Sequence, residues 1–174
     1  EQSVAIKKYI RDFAVEEYKD IVDDELMVQE RRLKELEREL DDLVKQRQKS
    51  ENRIKQYSRG IENNKRKISN NKTMDTTKAG EILVQNDIVS RLKGTGGEEE
   101  KMAGKKLKRL EKEKRKLERE REKLARTNDK SNNRIEDEKR NIDKNLNQQE
   151  EKKKEIEKQK EKVKEVEKKL EGIR

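Results

Sequence analysis

Apolar side chains return every seven residues along most of this chain, and that period constrains its fold more than any other feature. From Leu26 one set of positions runs Leu26, Leu33, Leu40, Arg47, Ile54, Ile61, Ile68, Asp75, Ile82 and Val89. The set three residues later runs Gln29, Leu36, Leu43, Ser50, Tyr57, Asn64, Asn71, Lys78, Gln85 and Leu92. These are the a and d positions of a heptad. The first set is apolar at eight of ten places and the second at four of ten, so the seam has one strong edge and one weak one. The repeat starts again with Leu107, Lys114, Arg121, Asn128, Ile135, Ile142, Gln149, Ile156, Val163 and Leu170. Its d positions run from Ala103 and Leu110 to Val166 and Ile173. A seven-residue period held this long implies long helices in a left-handed supercoil.

The composition agrees. Apolar residues make up 26% and charged residues 51%, which rules out an ordinary globular core and leaves either disorder or an elongated helical assembly with a narrow seam. The chain has no proline, where an average one of this length would have about nine. Removing every helix breaker favours the helical assembly. A lone charged helix is a weaker reading, because many i,i+4 pairs are alike, such as Lys112 with Lys116 and Glu118 with Glu122.

Four of the seven glycines fall between Ser90 and Gly104. A short glycine cluster between two heptad runs predicts an antiparallel hairpin. The expected fold is therefore all-α: a long antiparallel coiled-coil hairpin. Its first arm covers 23–93 with a weak point at 72–80, its turn 94–97 (Gly94, Gly96 and Gly97), and its second arm 98–174. If the turn centres on Gly96, residues whose numbers sum to 192 face one another, which sets Leu36 against Ile156, Leu26 against Val166 and Asn64 against Asn128. A one-heptad shift to 185 pairs Leu43 with Ile142 and Arg47 with Glu138. Both registers keep a and d in the seam, so both stay open. Arg47, Asn64, Asn71, Lys114, Arg121, Asn128 and Glu138 form the polar seam that sets register. In a parallel homodimer the charged members would face their own copies. A heteromeric bundle stays open as well.

Residues 1–22 differ from the rest. Ile6, Ile10, Phe13, Tyr18 and Ile21 recur at helical spacing and form the one broad apolar face. In the hairpin most of this segment projects beyond the second arm, so it is expected to dock a helical protein partner; folding back on the hairpin base is the alternative. Charge is also uneven. Residues 1–46 carry 9 basic and 14 acidic side chains, residues 47–93 carry 12 and 5, and residues 101–130 carry 14 and 6. Lys105, Lys106, Lys108, Arg109, Arg115 and Lys116 mark a basic patch in the distal half, suited to an acidic partner such as nucleic acid or a cytoskeletal filament. A solvated helix face explains the same runs without a partner.

Catalytic chemistry finds no footing. With no histidine and no cysteine, zinc sites and the usual nucleophile–base pairs are unavailable. The glycines do not spell a phosphate loop, since Lys106 stands where a Ser or Thr is needed and Glu99 where the dinucleotide fingerprint needs glycine. A calcium loop from Asp129 would have Arg134 at its obligatory glycine. No enzyme activity, cofactor, metal or small-molecule substrate is expected, and no run is long and apolar enough to span a bilayer. Asn71 to Thr73 forms a glycosylation sequon that matters only in a secreted protein. An intracellular, cytoplasmic setting is the expectation. The chain starts at Glu1 rather than Met, as a fragment or processed product would.

Gly96 and Gly97, followed by Met102, Ala103 and Gly104, resemble the tip of the receptor-binding arm of E-group colicins, which are long antiparallel helical hairpins. The general pattern is also similar to the coiled arms of SMC-like ATPases, although no C-x-x-C hook is present. The expected function is that of a structural protein, a stiff spacer or scaffold that positions a partner. The alternatives are a binding module for an acidic polymer and the arm of a larger machine.

Overall fold

The computed structural model describes residues 1–173 and contains two helices. The first, α1, runs Gln2–Leu92, and the second, α2, runs Glu98–Ile173. They pack extensively on each other as an all-α hairpin. The helices run antiparallel, so that partners ascend α1 as they descend α2: Gln29 meets Gln159, Asn64 meets Asn128, and Gln85 meets Ala103.

Helix persists through the stretch least suited to it. Thr73, Thr76 and Thr77 donate their hydroxyls to the carbonyls of Ser69, Lys72 and Thr73, one turn back. Those bonds satisfy β-branched polar side chains without breaking the ladder. Packing against α2 then outweighs weak propensity.

The hairpin divides into two compact units. One joins Glu1–Glu51 to the part of α2 from Arg140 onward, and the other is Asn52–Lys139. In the first, Val22, Val166 and Leu170 form a buried cluster with Leu26 and Ile173 packed on it. Leu36, Ile156 and Val163 are buried in the same unit. In the second, Ile61, Ala103, Leu110 and Ile135 are buried. Among the described residues ten buried hydrophobic side chains stand beside eight buried polar ones. With so thin an apolar strip, polar groups between the helices must find partners in place.

Candidate interaction surfaces

The turn is built from backbone. Gly94 has φ 87° and Gly96 has φ 69°, left-handed values that cost an L-residue about 1–2 kcal/mol. Thr95 N–H and its hydroxyl both donate to the Leu92 carbonyl, at 3.1 and 2.7 Å. Gly97 has an ordinary φ. Its carbonyl accepts from Lys101 N–H at 3.4 Å, so it caps the start of α2. Glu98, Glu99 and Glu100 fill the first turn of α2, where the helix dipole favours carboxylates. Glu100 reaches back to accept from Gly94 N–H at 3.1 Å and Gly96 N–H at 2.7 Å. These two backbone bonds hold its carboxyl below the usual range.

A Cβ at any of the three glycines meets open space, so only dihedral strain separates them. Gly94→Ala or Gly96→Ala is expected to cost about 1 kcal/mol or more. Gly97→Ser, which improves a cap, should instead raise stability by a few tenths of a kcal/mol. Thermal denaturation of the three variants checks the contrast.

The seam carries a polar network. Asn64 Nδ2 donates to Asn128 Oδ1 at 2.9 Å. Asn71 Nδ2 donates to the Leu117 carbonyl at 3.0 Å and its Oδ1 accepts from Arg121 at 3.0 Å. Arg121 also binds Asp75, which is reached from another side by Lys114 Nζ at 3.3 Å. Lys114 and Lys78 would face each other as like charges in the register centred on Gly96. Each ammonium swings to carboxylates instead: Lys114 to Glu118 at 2.7 Å and to Asp75, and Lys78 to Glu113 at 2.7 Å and Glu81 at 3.3 Å. Glu138 pairs with Arg53 at 3.3 Å, and Arg47 pairs with Glu51 on its own helix at 3.6 Å. Asn64 against Asn128 marks the register centred on Gly96.

Seam residues that were not singled out from sequence are Gln85, Asn145, Gln149 and Gln159, all buried. Gln85 and Asn145 donate to the carbonyls of Ala103 and Leu43, and Gln159 donates to the Gln29 carbonyl and side chain. Each sits at an a or d position, so the heptad itself carried the signal.

The Asp75 carboxyl is held below its ordinary range by hydrogen bonds from Arg121 first and Lys114 second, against opposition from burial. A depressed folded-state value means the stabilisation is complete above the unfolded value near 3.9 and disappears as pH falls through the folded one. Asp75→Asn is therefore expected to lower Tm at neutral pH, and the gap to the parent should narrow as pH falls below the unfolded value near 3.9. Glu39 and Glu113 are lowered by Lys152 and Lys78 and push the whole protein the same way. Tm measured from neutral to acid pH tests this.

Three surfaces remain for partners. The first is the N-terminal face. Every residue from 1 to 21 is exposed, including Ile6, Ile10, Phe13, Tyr18 and Ile21. At about 100° per residue, Ile6, Ile10, Phe13 and Ile21 lie within roughly 80° of each other and turn at least about 100° away from seam residue Val22. Tyr18 lies nearer the Val22 side. The stripe is therefore not a continuation of the seam that faces α2. The second surface is the basic patch, where Lys105, Lys106, Lys108, Arg109, Arg115 and Lys116 are all exposed. Asn52–Lys139 carries 26 basic and 16 acidic side chains, net +10, whereas the other unit carries 23 and 24.

The third surface is a groove of about 440 Å³ near the turn, lined by Val84, Ile88, Leu110, Lys78, Lys106 and Arg109 among others. Among the described residues no group of three or more His, Cys, Asp or Glu is placed to hold a metal ion. None of the helices is long and apolar enough to cross a membrane. No protein-family model, curated protein or solved structure matches the chain.

Proposed function

We propose that the chain is a structural and interaction protein, a coiled-coil hairpin that acts as a stiff spacer and positions a partner bound at its N-terminal segment. The supporting observation is the distribution of exposed apolar side chains. Ten of the large ones fall in residues 4–28 and five in residues 74–102, with Leu146 the sole other among the described residues. Elsewhere the surface is charged and the seam absorbs the apolar groups. A protein that holds something at a distance needs such a surface, inert along its length and adhesive at defined places.

Small-angle scattering with sedimentation tests the spacer. A maximum dimension on the order of 110 Å or more is expected, the length of the α2 helix at 1.5 Å per residue. A particle about half that length overturns the reading.

A second reading rests on the +10 charge of Asn52–Lys139: this unit grips an acidic polymer. Salt-dependent retention on DNA or an acidic filament supports it. No binding above background at about 0.15 M salt removes it.

A further inference from the structure

The two exposed apolar regions carry opposite charge. Residues 12–25 hold seven acidic side chains and one basic, net −6. Glu16, Glu17 and Asp20 are exposed and, on the helical wheel, lie beside or within the stripe of Ile10, Phe13 and Ile21. Near the turn, Val84 is 63% exposed and Ile88 37%, and they form the apolar wall of the groove described above. Its two acids are already engaged, since Glu81 and Glu113 bind Lys78 and Glu113 lies 3.8 Å from Arg109. Lys105, Lys106 and Lys108 beside it are exposed. A second groove shares Gln85, Lys106 and Arg109 and adds Met102, itself 64% exposed. An apolar, basic surface suits an acidic amphipathic helix.

We infer that the occupant of the groove near the turn is the N-terminal segment of a second copy of this chain, so that molecules associate head to tail. This names the partner that the spacer reading leaves open at the N-terminal face, and it rests on that reading. One contact then covers both unpartnered apolar regions and sets acidic residues 12–25 against Lys106 and Arg109. Such an interface is heterologous, and unless its rotation closes a ring it builds open chains. Antiparallel pairing of two N-terminal segments is the rival for the same face, because Lys7, Lys8 and Arg11 precede the acidic residues. It leaves the groove uncovered.

A complementation experiment decides. Ile10→Glu/Phe13→Glu disables the N-terminal face and Val84→Glu/Ile88→Glu disables the groove. Ile10, Phe13 and Val84 are more than half exposed and Ile88 more than a third. Circular dichroism confirms that both variants keep the helical signal of the parent. In sedimentation at about 100 µM, the parent is expected to form species larger than a dimer that dissociate in about 0.5 M salt. Each variant alone should be monomeric. An equimolar mixture should give a one-to-one complex and nothing larger, because each variant supplies the half the other lacks.

A monomeric parent overturns the inference. So does a groove variant that still self-associates, which assigns the face to its own copy, or an N-terminal variant that does, which assigns the groove to itself. Scattering on the monomeric variants reports their length separately, so the spacer reading stands or falls independently of the assembly.

Discussion

Replacing Gly94, Thr95, Gly96 and Gly97 together by alanine is expected to turn the hairpin into an intermolecular pair. Both left-handed glycines are lost, at about 1–2 kcal/mol for each alanine forced into that conformation. The same four alanines are the best helix formers available, so a continuous helix from α1 into α2 becomes the favoured state. A straight helix cannot meet its own seam, yet the seam still has to be covered. A second molecule supplies it as a domain-swapped dimer with the same layers, and Asn64 then meets Asn128 of the other copy. The comparison is best made with Ile10→Glu/Phe13→Glu also present, which removes association through the N-terminal face. Sedimentation should then show a doubling of mass, with Tm dependent on concentration. A monomer with the parent Tm would mean that the glycines do not set the reversal.

Leu36→Ala should be the most damaging single truncation in the seam. Leu36 is 2% exposed, and truncating a buried leucine costs about 2–5 kcal/mol, the loss of transfer energy plus the cavity left behind. Two helices can close partly over a small void, so the lower half of that range applies. Even about 2 kcal/mol is a large share of the stability of a chain whose interior is one strip wide. Leu83→Ala provides the control. Leu83 is 71% exposed, and its loss should change stability by no more than about 0.5 kcal/mol. Urea denaturation of the pair measures both, and equal effects would contradict the assigned seam.

The hairpin was legible because two independent signals agree on it: the heptads stop at Leu92 and resume at Ala103, and the glycines fall between. The register was not, since a one-heptad slip preserves every a and d assignment and changes only which polar groups meet. One-to-one layers in this register would set Lys78 against Lys114. Long side chains leave their layer and reach a carboxylate about a turn away, as Lys114 does to Asp75 and Glu118, so like charges at facing positions need not clash in the structure. For the same reason the junction of Asp75 with Arg121 and Lys114 was hidden. None of the three faces another as a layer, and the junction depends on side-chain reach. On the N-terminal face, grouping by helical spacing placed Tyr18 with Ile6, Ile10 and Phe13, but the direction of the seam at Val22 separates them. That direction depends on where α2 packs, which composition and spacing alone do not specify.

The central claim is that one chain folds back on itself in a single register, with Asn64 opposite Asn128. The absence of native cysteine makes it directly testable by disulfide trapping. Under mild oxidation, Asn64→Cys/Asn128→Cys should close an intramolecular bridge, seen as a monomeric band with altered mobility that reverts on reduction. Asn64→Cys/Arg121→Cys, the pair brought together by the one-heptad shift, should not close. A bridge in the second variant instead of the first, or bridges only between molecules, would contradict the account.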